Sequence, residues 1–337
     1  MRDFGKSDNP AVQAQLDRLG QLSLPQGRLG LETIRALMER LGNPHRKLPP
    51  VFHVAGTNGK GSTCAFLRAC LEAEGYKVHV TTSPHLVRYN ERIRLAGELI
   101  SDAMLAEVLA EVLDAGEDLG PSFFEVTIAA AFLAFSRVPA DACVVEVGMG
   151  GRFDATNVLE PEALAACGIA ALGLDHERFL LAPEDGVPQE PMARIAFEKA
   201  GIAKKGVPLV TMGRLHLPES QVAIRVVAET VGAPLFPFRS GLVGEDRYCD
   251  GAAGKLYYRE WYEEEFHFPK PALVGEHQYL NAGLAIAMLR RQTRCPVSEA
   301  GIAQGLQSAR WPARMQRLGT GPLTALVSDQ TIWLDGG

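Results

Sequence analysis

The residues best placed to do chemistry lie between 51 and 63, in the run Val51-Phe52-His53-Val54-Ala55-Gly56-Thr57-Asn58-Gly59-Lys60-Gly61-Ser62-Thr63. An apolar stretch there gives way to three closely spaced glycines and then to a helical pattern. Glycine lets backbone approach an anion, and the following helix presents unsatisfied N–H groups and the positive end of its dipole. Lys60 adds a mobile cation for outer phosphates, and the Ser62 or Thr63 hydroxyl can reach a magnesium ion. The spacing departs from G-x-x-x-x-G-K-[ST]: Val54 stands where the first glycine belongs, and a glycine follows the lysine. The alternative is a tight turn with a solvated lysine, but strand before, helix after and hydroxyls at the end favour a triphosphate site.

Three further clusters fall at the ends of apolar runs. Ser83, in Thr81-Thr82-Ser83-Pro84-His85-Leu86, follows the next buried stretch, where the loops of an open α/β sheet gather around a ligand. Glu146 closes Val144-Val145-Glu146, an expensive place for a carboxylate unless it meets a cation, which makes it a candidate magnesium ligand. Asp175-His176 brings an imidazole to the same edge. Taken singly, Ser83 reads equally as a cap, His176 as a satisfied core or surface histidine, and Arg152 with Asp154 as an ion pair.

These residues need a frame. Strands are expected at 51–55, 78–82, 142–147, 166–172 and 207–212, with helices between them, and such alternation predicts a mostly parallel sheet covered by helices. Ahead of it, apolar residues at helical spacing from Leu31 to Leu41 predict a helix that Gly42-Asn43-Pro44 stops. Residues 241–268, rich in aromatic and alternating charged residues, predict an antiparallel insertion. Helices at 278–291 and 297–308 follow, then a boundary at Trp311-Pro312 and strands at 323–327 and 332–334. The division is a unit over 1–310 that binds ATP and substrate, and at 311–337 the start of a second α/β domain.

Composition excludes several classes. At 337 residues, 47% hydrophobic and 22% charged, the chain is globular. Its 40 acidic and 34 basic residues, net −6, form no long block, so no nucleic-acid partner is expected. The N-terminus has no apolar segment behind its charges, and the apolar run 126–135 falls far short of the ~20 residues that span a bilayer, so a cytoplasmic monomer without membrane contact is expected. The six cysteines, at 64, 70, 143, 167, 249 and 295, form no C-x-x-C pair and read as reduced packing residues.

Taken together the motifs resemble the bifunctional dihydrofolate synthase/folylpolyglutamate synthase family of the Mur ligase superfamily. The likeness is carried by Leu29 to Glu32, Ala55 to Ser62, Ser83 to Arg92, Ser122-Phe123-Phe124-Glu125, Glu146 to Asn157, Asp175-His176 and Glu198-Lys199-Ala200-Gly201-Ile202, in that order. It implies a magnesium-dependent ligation of L-glutamate to dihydropteroate or a folate, with ATP as co-substrate and an acyl phosphate between. By the same resemblance Asn58, Gly59, Lys60, Gly61, Ser62, Asn281, Arg314 and Asp335 hold ATP. Ser83, Glu146, His176 and a carbamylated Lys199 hold magnesium, since a carbamate offers oxygen where an amine cannot. Leu29, Ser122, Phe123, Phe124, Glu125, Arg152, Phe153 and Asp154 line the pterin pocket, and Lys60, His176 and Lys199 are catalytic.

Two features depart from the family pattern. Residues 178–191, between His176 and Lys199, form a longer connection. The run Trp333-Leu334-Asp335-Gly336-Gly337 stops where a family motif would continue. About 25 residues after Pro312 are too few for an independent domain, which needs at least ~40, so most of a C-terminal domain is expected to lie outside this chain. Two other readings stay open: a ligase of the same superfamily acting on a UDP-sugar substrate, and a nucleotide-binding fragment without catalysis.

Overall fold

A computed structural model describes residues 5–22, 30–237, 249–250, 255–259, 265–327 and 330–336. In chain order the elements are α1 (Pro10–Gln21), α2 (Glu32–Arg40), β1 (Val51–Ala55), α3 (Lys60–Ala73), β2 (Val78–Thr81), β3 (Ile93–Leu95), β4 (Glu98–Leu99), α4 (Asp102–Gly116), α5 (Phe123–Arg137), β5 (Ala142–Glu146) and β6 (Leu164–Ile169). There follow α6 (Glu177–Leu180), α7 (Pro191–Ala200), β7 (Leu209–Thr211), α8 (Pro218–Val231), β8 (Leu235–Pro237), β9 (Cys249–Asp250), β10 (Lys255–Arg259), β11 (Glu265–Pro269), α9 (His277–Arg290), α10 (Glu299–Ser308), β12 (Gln316–Arg317) and β13 (Trp333–Leu334).

Eight strands form the central sheet in the order β4-β3-β2-β5-β1-β6-β7-β8. All neighbours pair in parallel except β2 with β3 and β3 with β4. β1 lies between β5 and β6, both of which come later in the chain, so its C-terminal end opens into the crevice where such sheets bind ligands. Both faces are covered, which is why every residue of β1 and β5 is buried and their sequences, His53 and Glu146 apart, run apolar without alternation. Val51, Ala55, Cys143 and Val145 join a core under α1, α2, α4, α5, α7 and α8. Phe52, Val54 and Val144 join a second core with α3, α9, α10 and strands β10 and β11 of an antiparallel trio, β11-β10-β9.

The five expected strands are present; β7 is shorter than expected, at 209–211 against 207–212, and β6 is shifted toward the N-terminus, at 164–169 against 166–172. β6 ends at Ile169 because the residues after it turn to meet the phosphate loop: Thr57 and Asn58 donate their backbone N–H groups to the Ala171 carbonyl at 2.8 and 3.1 Å. The antiparallel edge β3–β4, strand β8 and helix α1 were not expected. At the C-terminal end the expectation of a strand over 323–327 fails. Residues 324–326 form a 3-10 turn, because the Thr324 hydroxyl bonds the Gly319 and Gly321 carbonyls and so replaces ladder bonds with local ones. The partner of β13 is β12 instead. Part of the insertion expected over 241–268 lies outside the described residues; the rest is the antiparallel β9–β11. Cys64, Cys70, Cys143, Cys167 and Cys295 are buried free thiols. No helix among the described residues is long and apolar enough to cross a membrane.

Candidate active site

The loop from Gly56 to Gly59 leaves the C-terminal end of β1 and caps α3. Gly59 is the N-cap in the left-handed region at φ 83°, and a Cβ there would sit 2.2 Å from the Asn281 Oδ1, so both backbone shape and space call for glycine. The first helical bond runs from Thr63 N–H to the Gly59 carbonyl, which leaves the N–H groups of Lys60, Gly61 and Ser62 without helical partners. They belong to the stretch expected to bind phosphate. Thr57 Oγ1 donates to the Gly173 carbonyl at 2.9 Å, so the loop is fastened to the segment that follows β6. Asn281, expected from the resemblance, reaches the loop from α9. Trp311, read from sequence only as part of a boundary, lies against Gly61.

Across the crevice, Glu146 at the end of β5 is 5% exposed, and its Oε2 accepts the Ser83 N–H at 3.0 Å. Burial pushes this carboxyl above its ordinary value, while Lys60, the Ser83 N–H, Arg314 and Arg92 oppose the shift. No other hydrogen bond to the carboxylate is present among the described residues, so it is under-satisfied, and as a hard oxygen donor it is of the kind magnesium prefers. The loop carrying Ser83 is braced by Arg92, a buried guanidinium whose Nε donates to His85 Nδ1 at 2.8 Å and which lies over the rings of Tyr89 and Phe123. Glu91 gathers the same loop by accepting from the N–H groups of Leu86, Val87 and Arg88.

Lys199, near the end of α7, is 1% exposed, and its ammonium donates to the Gly56 carbonyl at 3.0 Å. Burial first, and the Lys60 charge second, lower its pKa from 10.5 to about 8. About a tenth of the amine is then neutral at pH 7, against less than about a thousandth for an ordinary lysine, and the neutral amine is the form that can add carbon dioxide. Lys60 itself folds back onto the Gly56 and Thr57 carbonyls at 3.0 and 3.2 Å.

Other expected residues have local roles. Ser122 and Glu125 form a capping box at the start of α5, with Ser122 N–H donating to Glu125 Oε2 at 2.8 Å and Glu125 N–H to Ser122 Oγ at 3.2 Å. The rings that follow them point two ways: Phe123 meets Tyr89 edge-on, and Phe124 lies against Gly148. Arg152 and Asp154 do not pair with each other. Arg152 is gripped by Glu184 and Glu198 and covers Phe153. Asp154 is buried, accepts from Met149 N–H and from the Thr156 N–H and hydroxyl, and through Thr156 is linked to the buried His53. Burial pushes the Asp154 carboxyl up and the His53 imidazole down to about 3.

His176 takes the left-handed region at φ 48°, its side chain is 47% exposed, and its Nε2 lies 3.1 Å from Asp175. No group of three His, Cys, Asp or Glu side chains converges among the described residues, and the expected magnesium set contains only two of those types. Asp335 accepts the Met315 N–H at 3.1 Å and so holds the backbone beside Arg314, whose charge reaches Glu146. Leu29 lies outside the described residues.

No family model matches the chain. It is 36% identical over 319 residues to the dihydrofolate synthase/folylpolyglutamate synthase of Bacillus subtilis strain 168, covering 91% of this chain and 68% of that protein. A solved bifunctional folylpolyglutamate synthase/dihydrofolate synthase with Mn, AMPPNP and L-glutamate bound superposes with a TM-score of 0.75 at 31% identity, over 98% of this chain and 72% of the other. E. coli FolC in complex with DHPP and ADP matches with a TM-score of 0.75 at 31% identity, over 97% of this chain and 71% of the other.

Proposed function

The chain belongs to the dihydrofolate synthase/folylpolyglutamate synthase family, and on that premise we propose that it is an ATP-dependent ligase joining L-glutamate to dihydropteroate or a folate. The observation that carries the reading is one crevice at the C-terminal ends of β2, β5 and β1. It holds an anion cradle at residues 60–62, two lysines on one loop carbonyl, and a buried carboxylate beside Ser83. Relatives solved with AMPPNP and L-glutamate, and with DHPP and ADP, support the choice of ligands.

In this reading the N–H groups of Lys60, Gly61 and Ser62 hold the nucleotide phosphates, and the Lys60 ammonium leaves the Gly56 and Thr57 carbonyls to follow the charge on the transferred phosphoryl. That is catalysis by positioning and electrostatics. Ser83 Oγ and Glu146 would hold a divalent cation, as would Lys199 once carbamylated. Bound there, the cation neutralises phosphate charge. The acceptor carboxylate attacks the γ-phosphorus and ADP departs. The glutamate amine then attacks the acyl carbon, loses its proton, and inorganic phosphate leaves. Phe123 and Phe124 supply an apolar wall on the acceptor side, and the packing that buries Glu146 and Lys199 keeps water from the acyl phosphate.

The experiment is ADP release by the full-length protein with ATP and dihydropteroate, before and after L-glutamate is added. Release that depends on glutamate, with mass spectrometry finding the glutamyl product, supports the assignment. Nucleotide binding without glutamate-dependent turnover sinks it.

A further inference from the structure

Two arginines and two glutamates alternate around the start and end of α7, and one of the four comes from the long connection that precedes that helix. Glu184 binds Arg152 through both oxygens, Oε1 to Nη1 at 3.1 Å and Oε2 to Nη2, and its Oε2 also accepts from Arg194 Nη2 at 2.9 Å. Glu198 mirrors it: Oε1 accepts from Arg152 Nη2 at 2.7 Å and Arg194 Nε at 3.0 Å, and Oε2 from Arg152 Nε at 3.1 Å. The side chains of Arg194 and Glu198 are 6% and 5% exposed, those of Arg152 and Glu184 21% and 16%. The set is charge-balanced, and removal of either carboxylate leaves a guanidinium excess in a largely desolvated place.

The backbone beneath is equally close. Arg152 N–H donates to the Glu198 carbonyl at 2.7 Å, and a Cβ on Gly151 would stand 2.7 and 2.8 Å from the carbonyls of Glu198 and Lys199. The turn that follows β5 is therefore seated on the end of α7, directly on the residue whose ammonium reaches the phosphate loop. This turn lies on the face of the sheet that also carries Phe123 and Phe124, whereas Asn281 and Trp311 approach the phosphate loop from the other. The nucleotide side and the acceptor side of the crevice thus meet different parts of the protein.

We propose that Glu184 is a positioning residue for the acceptor half of the site: by holding Arg152 and Arg194 it sets the turn at 148–157 against α7, without touching substrate. Residues 178–191 then contribute a clasp as well as a connection. The kinetic part rests on the ligase reading; the structural part does not.

The test compares Glu184→Gln, which keeps the shape and removes the charge, with Glu184→Asp, which keeps the charge. Initial rates are taken with ATP and dihydropteroate varied separately, and hydrogen exchange is followed across the whole chain. Glu184→Gln should raise the KM for dihydropteroate about tenfold, leave the KM for ATP within about twofold, and lose protection across 148–157, as expected when one partner of a buried charge pair is removed. Glu184→Asp should recover most of both effects. A fall in kcat with both KM values unchanged would mean only that less protein is folded, and would overturn the proposal. So would wild-type protection of 148–157 in Glu184→Gln. If the wild type shows no glutamate-dependent turnover, the ligase reading alone falls, and the exchange result decides the role of Glu184.

Discussion

The ammonium groups of Lys60, on α3, and Lys199, on α7, both donate to the Gly56 carbonyl, each at 3.0 Å. One oxygen cannot neutralise two cations, so the pair repels, and the more buried member yields: it is Lys199 whose pKa falls to about 8, with the Lys60 charge as the second cause after burial. The arrangement concentrates positive charge on the loop that the ligase reading gives to the triphosphate.

Lys60→Met tests that arrangement from the exposed side. Loss of the cation should weaken ATP binding about tenfold and lower kcat about 100-fold, in the range found for removal of one transition-state donor. Binding is read by calorimetry and turnover by ADP release. Retained affinity together with retained turnover would remove Lys60 from the phosphate site.

Lys199 predicts a trade between stability and activity. A shift from 10.5 to about 8 corresponds to roughly 3 kcal/mol of cost to keep the buried amine charged. Between those values the unfolded chain binds more protons than the folded one, so this contribution makes stability rise with pH from about 8 to 10.5, and the full cost is felt below 8. Lys199→Met should then be more stable than wild type near pH 7, by about 1–2 kcal/mol once the lost hydrogen bond is subtracted, and less stable than wild type by about 1 kcal/mol near pH 10, where the wild type has shed most of the cost. Denaturant melts at the two pH values measure it. If the lysine carries a carbamate, the variant is also inactive, and wild-type activity falls in buffer freed of carbon dioxide and returns with bicarbonate, faster as pH rises through 8.

Much of this site could be read before any coordinates. β1, the glycine loop and α3 were legible because burial on both faces turns a strand into an unbroken apolar run and because only a few turns place glycines before a helix. That Glu146 would need a cation or donor followed from the cost of a carboxylate in such a run; that the donor is the Ser83 N–H came only with the fold. Contacts that depend on distant partners were not legible: Arg152 meets Glu184 and Glu198 rather than the nearby Asp154, and β6 gives up its last residues to the phosphate loop. The edge strands β3 and β4 are two or three residues long and carry charges, so neither length nor periodicity announces them. One signal was present and unused: Ser122-x-x-Glu125 is a capping pattern, and its residues bond each other.

Glu146→Gln separates metal binding from folding. Burial holds this carboxyl above its ordinary value, so the folded state binds protons more readily than the unfolded one, and the charged form costs stability as pH rises through the normal carboxylate range. The amide should fold at least as well as wild type near pH 7. Activity should nevertheless fall about 100-fold or more, and the Mg2+ or Mn2+ concentration for half-maximal activity should rise at least about tenfold, since one hard anionic ligand is lost. A variant with unchanged metal dependence would move the cation site away from Glu146.

Gly61→Ala offers an optical test of the nucleotide side. A methyl at residue 61 would lie 2.6 Å from Cζ2 of Trp311 and 2.9 Å from its Cε2, closer than real carbon contacts. Gly61 sits on the first turn of α3 with a backbone that any residue tolerates, so the substitution acts through the indole and not through helix strain. The indole must turn or retreat, and the flank of the cradle opens to water. Tryptophan emission should therefore shift to the red in Gly61→Ala, and ATP affinity should drop about tenfold as the cradle loses its wall. Gly59→Ala provides the contrast: its conflict is with the movable end of Asn281 and with its own φ of 83°, so it should damage ATP binding at least as much while leaving Trp311 emission near wild type. Equal emission spectra for wild type and Gly61→Ala would show that Trp311 does not rest on the phosphate loop in solution.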